Sequence, residues 1–273
     1  MSNDWRAAQV KEMKTALSAH PFIQFVYTDA KGKSSRQIMD FERMAAGNAD
    51  ILVTSPRDIR AMTPVISQAY EQGKPVILLT RKTLNEQFTA FIGPDDREIA
   101  IDAAHYIAKL LYGKGNLIML QGIPTASTAI QRKESFLSTL KNYPEIKVVA
   151  SPIANYRRND AIKAMDKIIS SGIQFDAIYA HSDSMASGAR MAMKMAGIEP
   201  NSKIIVGIDY IPESKQAIIN GEQAVSYTYP TAGKEGAETI LNLINGTSFE
   251  KYQKVPYIRV THENVHQIDT IFD

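Results

Sequence analysis

The run Phe175-Asp176-Ala177-Ile178-Tyr179-Ala180 is short and mostly apolar, and it ends abruptly in the polar cluster His181-Ser182-Asp183-Ser184. Beyond it Met185, Ala189, Met193 and Ala196 recur on one helical face. A buried strand, a polar turn and a helix follow one another here, with Ser182 or Asp183 placed to cap the helix. This is the building block of a parallel α/β sheet, and the alternation runs nearly from end to end. Helices are expected over 7–17, 37–44, 59–70, 98–111, 129–140, 160–169, 213–219 and 233–243. Strands are expected over 22–27, 51–54, 76–79, 91–93, 117–120, 147–150, 204–208, 225–227 and 257–260. One sheet of this many strands would be unusually wide, so the reading is α/β with two doubly wound, parallel-sheet lobes.

Composition narrows the function. Among 273 residues the net charge is only +2, too small to argue for nucleic acid or an anionic membrane as partner. No apolar run approaches the roughly 20 residues of a bilayer span. Cysteine is absent, which excludes disulfides and thiolate metal sites and suits an exported protein. The five histidines contain no H-E-x-x-H pair. No nucleophile–base pair, phosphate loop or metal cluster is legible, so neither an enzyme nor a cofactor is expected.

Open parallel sheets hold small ligands at the C-terminal ends of their strands. Polar groups gather at those ends here: Thr80-Arg81, Asp95-Asp96, Gln121-Gly122, Asn155-Tyr156-Arg157, Asp209-Tyr210 and Thr228-Tyr229, with Arg132 a turn inside its helix and Trp5-Arg6 near the chain start. Carboxylates, guanidiniums and aromatic faces together suit a neutral polyol such as a sugar. Carboxylates accept from hydroxyls, arginine donates a planar fork, and aromatic rings cover C–H patches. A micromolar dissociation constant corresponds to about −8 kcal/mol. Six to eight aligned hydrogen bonds at roughly 1 kcal/mol each reach that scale.

Four segments carry a family resemblance: Asp4-Trp5-Arg6-Ala7-Ala8; Leu120-Gln121-Gly122 with Ala126-Ser127-Thr128-Ala129-Ile130-Gln131-Arg132; Tyr179-Ala180-His181-Ser182-Asp183-Ser184-Met185; and Val206-Gly207-Ile208-Asp209. The sequence resembles type I periplasmic sugar-binding proteins of the ribose and galactofuranose group. The resemblance implies two lobes, 1–93 with 229–253 and 94–228 with 254–273, closing on a ligand by a hinge. It places Trp5, Arg6, Arg81, Asp96, Arg132, Tyr156, Ser182, Asp209 and Thr228 among the ligand contacts, with Trp5 and Tyr156 sandwiching the sugar. It further implies a periplasmic or extracellular monomer that delivers a sugar to the membrane subunits of an ABC importer. The alternative is the ligand-sensing domain of a histidine kinase or chemoreceptor. An effector domain of the LacI type is less favoured, since it would need a helix-turn-helix before Trp5.

Three departures from the family pattern are visible. Thr80 stands where many relatives carry aspartate, and Ser182 where they carry asparagine, which argues against ribose and for a furanose-like sugar or a ligand with fewer hydroxyls. Relatives also begin with a strand before the Trp-Arg segment, whereas only Met1-Ser2-Asn3 precede Asp4. The natural start is therefore expected upstream, with a signal sequence or anchor and that strand.

Overall fold

The computed structural model describes residues 4–271; Met1–Asn3, on which the expectation of an upstream strand bears, and the last two residues lie outside the described residues. The chain forms two compact units. Unit 1 holds the described residues up to Pro94, Thr125–Ser127 and Pro230–Pro256. Unit 2 holds Asp95–Pro124, Thr128–Tyr229 and the described residues from Tyr257. Thr125–Ser127 join unit 1 because the Thr125 carbonyl accepts from the Ile59 N–H at 2.9 Å and Ser127 Oγ accepts from the Lys82 N–H at 2.9 Å.

Unit 1 contains helices α1 (Asp4–Leu17), α2 (Ser34–Ala46), α3 (Ile59–Glu71) and, later in the chain, α9 (Gly233–Ile244). Its sheet has the order β1 (Leu52–Thr54), β2 (Val76–Leu79), β3 (Ala90–Gly93), β9 (Tyr252–Lys254), every pair parallel. All four residues of β2 are buried, which a strand achieves only when both faces of its sheet are covered. Val76 and Leu78 pack with Phe41, Met62 and Ile66 from α2 and α3. Ile77 and Leu79 pack on the other face with Met13, Leu17, Ala237 and Ile240 from α1 and α9.

Unit 2 repeats the plan with helices α4 (Asp96–Leu110), α5 (Ser127–Leu140, whose first residue belongs to unit 1), α6 (Arg158–Ser170), α7 (Asp183–Met195) and α8 (Pro212–Ile219). Its parallel sheet runs β5 (Glu145–Ala150), β4 (Lys114–Leu120), β6 (Ala177–Ala180), β7 (Ile204–Val206). A small antiparallel pair, β8 (Ser226–Tyr227) and β10 (Arg259–Val260), adjoins it through a parallel bridge from Val206 to Val225. Ile118, Leu120, Ile178 and Ala180 face the apolar stripes of α6 and α7. On the opposite face Tyr179 stacks on Phe136 of α5 with ring centroids 4.1 Å apart.

Two expectations are corrected. Phe22–Tyr27 is not a strand: it joins no ladder, and Phe22, Val26 and Tyr27 are 68%, 63% and 54% exposed. Ile23 and Phe25 do pack against the core, so the alternation is real, but alternation supplies one buried face and no backbone partner. Conversely β9 was not anticipated. Its residues Tyr252-Gln253-Lys254 are polar and short, as sheet edges tend to be, and leave little apolar signal.

Candidate ligand-binding site

In unit 2 the first carboxylate is set by a helix cap. Asp95 Oδ1 accepts from the backbone N–H of Arg97 at 2.9 Å, fixing the start of α4 and turning Asp96 inward, where it is 2% exposed. Arg132, likewise 2% exposed, projects from α5 and donates through Nε to Asp96 Oδ1 at 2.6 Å. Its Nη1 donates to the His181 carbonyl, so the strand end that opens α7 also anchors the guanidinium. Tyr229 completes the group: its ring lies 4.5 Å from the guanidinium and its hydroxyl donates to Asp96 Oδ2 at 3.1 Å. Burial opposes the Arg132 charge, yet the neighbouring Asp96 carboxylate outweighs it and holds the guanidinium well above its ordinary pKa. Burial pushes the Asp96 carboxyl up, while Arg132 and Tyr229 pull the other way. Burial first, then the Asp96 carboxylate, keeps Tyr229 protonated and therefore a donor.

Tyr156 follows β5 in a left-handed backbone conformation (φ 60°), as does Asn155 (φ 53°), whose amide is tied to Asp160 at 3.0 Å. The ring lies directly on Gly122; a Cβ at that position would fall 2.1 Å from Tyr156 Cζ. The Tyr156 hydroxyl is 2.8 Å from Thr128 Oγ1, and its ring centroid is 6.0 Å from Arg132. A half-buried aromatic face fixed beside a buried cation offers an apolar surface flanked by hydrogen-bond donors.

The cluster that follows β6 divides its labour. Ser182 is the N-cap of α7, accepting from the Met185 N–H at 3.4 Å, which leaves its own O–H as a donor. Asp183 does not cap; it is fully buried and accepts from Gln223, Ser226 and the Tyr210 N–H. His181 Nδ1 accepts from the Gly122 N–H at 3.3 Å, so its proton sits on Nε2. Burial, and then Arg132, lowers the His181 pKa well below the usual histidine value. Asp209 and Thr228 are half-buried neighbours across an isolated parallel bridge, and the Asp209 N–H donates to the Tyr227 carbonyl at 2.9 Å.

Unit 1 carries its own polar group. Trp5 and Arg6 occupy the first turn of α1, with the Arg6 guanidinium 4.7 Å from the Trp5 ring and bonded to Gln9 Oε1 at 2.8 Å. Arg6 Nη1 also reaches Thr80 Oγ1 at 3.5 Å. Thr80 is buried with φ 61°, a conformation β-branched residues rarely adopt, and it stands directly before Arg81. Arg81 Nη1 contacts the Pro56 carbonyl at 3.5 Å. The strand-end reading therefore brings Trp5, Arg6, Thr80 and Arg81 together in one unit and Asp96, Arg132 and Tyr156 together in the other. Thr128 and the His181 carbonyl were not anticipated beside these groups, and Gly122 and Tyr229 were read only as strand-end groups. For Tyr229 the aromatic next to Thr228 at a strand end was the available signal.

Two doubly wound units with carboxylate, guanidinium and aromatic groups at their strand ends define a reversible small-ligand receptor. The chain belongs to the periplasmic binding protein domain family, whose model matches residues 1–248. That family is made of binding proteins, not enzymes. The chain is 29% identical to a galactofuranose-binding protein of Escherichia coli, over 81% of this chain and 72% of that one. It is similar to a fructose-binding periplasmic domain of a hybrid two-component system (30% identity, TM-score 0.93, 97% of this chain and 89% of that one). It also resembles an ABC transporter solute-binding protein from Bacillus halodurans with bound myo-inositol (25% identity, TM-score 0.92, 97% and 93%). Among the described residues no helix is long and apolar enough to cross a membrane.

Proposed function

We propose that the protein is a periplasmic receptor that reversibly binds a sugar or closely related cyclic polyol and delivers it to an ABC importer. The observation that carries this reading is the Asp96–Arg132–Tyr229 group with Tyr156 beside it: a buried, internally neutralised polar floor next to an aromatic face. Such a floor suits a neutral ligand, because its charges are already paired and need no counter-ion from the ligand. The ligand contacts in this reading are Trp5, Arg6, Arg81, Asp96, Arg132, Tyr156, Ser182, Asp209 and Thr228. Recognition of galactofuranose, fructose and myo-inositol by the relatives supports a five- or six-membered polyhydroxylated ring, with furanose-like sugars favoured. The similarity to a domain of a two-component system supports a second reading, in which the same binding event reports to a sensor kinase.

A thermal-shift screen of D-fructose, galactofuranose, L-arabinose, D-ribose and myo-inositol, followed by calorimetry, tests the proposal. A ligand at one hundred times its dissociation constant stabilises the bound form by about 2.7 kcal/mol. At about 2–4 °C per kcal/mol this is a shift of roughly 5–10 °C. Silence across the whole panel at millimolar concentration overturns the sugar-receptor reading.

A further inference from the structure

The Asp183 carboxylate makes bonds that converge on one short piece of backbone. Its Oδ2 accepts from the Tyr210 N–H at 2.8 Å and from the Ser226 hydroxyl, and its Oδ1 accepts from Gln223 Nε2 at 2.7 Å. The backbone N–H of the same residue donates to the Ile208 carbonyl at 2.6 Å. Residue 183 therefore grips both neighbours of Asp209. Between those grips the chain is contorted: Asp209 has φ 116° and Tyr210 φ 53°, conformations that non-glycine residues hold only when their surroundings enforce them. Gly207 shows how closely the carboxylate fits, since a Cβ there would fall 1.9 Å from Asp183 Oδ1. An outer tier keeps the bonds in register: Arg190 donates through Nη1 to Gln223 Oε1, so the Gln223 amide is held with its nitrogen toward Asp183.

We propose that Asp183 is a positioning residue for ligand recognition: its carboxylate holds the backbone on both sides of Asp209 and so fixes where the Asp209 carboxylate points. This rests on Asp209 being a ligand contact. The carboxylate is suited to the task because every group facing it is a donor, and both of its oxygens only accept. An asparagine in its place would turn an N–H₂ against Gln223 Nε2 or against the Tyr210 N–H. Arg190 prevents Gln223 from flipping to accommodate it.

The experiment compares wild type, Asp183→Asn, Asp209→Ala, the double variant and the milder Ser226→Ala. It reads hydrogen exchange of the 205–212 segment without ligand, and binding of D-fructose and myo-inositol by calorimetry. In Asp183→Asn, exchange at 208–210 accelerates at least tenfold relative to β6, and affinity for the bound probe falls at least tenfold. The double variant binds no more weakly than Asp209→Ala alone, a non-additivity that a general loss of stability does not produce. Ser226→Ala moves both readouts the same way by a few-fold, and decides the matter if Asp183→Asn does not fold. Unchanged exchange at 208–210, or additive losses in the double variant, overturns the proposal. If wild type binds neither probe, the role of Asp209 falls separately, and exchange alone decides the bracing: acceleration supports it and no change refutes it.

Discussion

The buried pair of Asp96 and Arg132 permits a graded test of what holds unit 2 together. Both side chains are 3% exposed, whereas the partners of the Arg158–Glu213 pair are 39% and 49% exposed. Asp96→Asn keeps the side-chain volume but strands the guanidinium without its counter-charge. Removing one partner of a buried pair costs about 3–5 kcal/mol. Glu213→Gln breaks a solvated pair and should cost about 0–1 kcal/mol. Tyr229→Phe lies between them, losing one hydrogen bond to Asp96 Oδ2 while keeping the ring against Arg132, at about 1 kcal/mol. The assay is urea denaturation at pH 7 followed by circular dichroism. With a urea slope of about 2–3 kcal/mol/M, Asp96→Asn lowers the midpoint by roughly 1 M or more, and Glu213→Gln by less than about 0.5 M. An Asp96→Asn midpoint equal to that of Glu213→Gln would refute the reasoning, because the pair would then behave as though solvated.

Three further outcomes are expected. Gly122→Ala drives a Cβ into the Tyr156 ring and should weaken sugar binding about tenfold or more in calorimetry, much as Tyr156→Ala does; normal affinity in Gly122→Ala would remove Tyr156 from the site. Gly207→Ala places a Cβ against the Asp183 carboxylate and should cost about 2–3 kcal/mol in denaturant melts, with a silent substitution counting against the packing described. His181 has a pKa lowered by burial and by Arg132, so below pH 6.5 the unfolded chain binds a proton that the folded chain does not, and stability is lost as pH falls. The raised carboxyls of Asp96 and Asp183 act in the opposite sense, so the measurement is the stability difference between wild type and His181→Gln, which should shift against wild type as pH falls from 7.5 to 5 and would stay constant if His181 titrated normally.

Much of the fold was legible because parallel strands buried on both faces announce themselves as apolar runs, and β2 and β6 are of that kind. Segments whose fate depends on a backbone neighbour were not. Phe22–Tyr27 has the alternation of a strand without a ladder, while Tyr252–Lys254 has a ladder without the alternation. Residue type and strand-end position sufficed to single out Asp96, Arg132 and Tyr156, which the structure brings together in unit 2. They did not distinguish Ser182 from Asp183, since both are good caps and only tertiary packing assigns one to the helix and buries the other. Nor could the sequence reveal that Gly122 serves as a seat for an aromatic ring, because a glycine after a strand reads equally well as a turn.

The division of the chain also bears on its order of synthesis. The four-stranded sheet of unit 2 is drawn from one continuous stretch, from Lys114 in β4 to Val206 in β7. The sheet of unit 1 starts first but is completed after the four-stranded sheet of unit 2, since β3 awaits β9, pairing Phe91 with Tyr252. Until residues 233–255 emerge, Ile77, Leu79 and Ile92 lack the cover of Ala237, Ile240 and Val255. The part of this apolar face that α1 does not cover thus stays open while most of the chain is being made, and it is over this interval that a chaperone would find its binding site on the nascent protein.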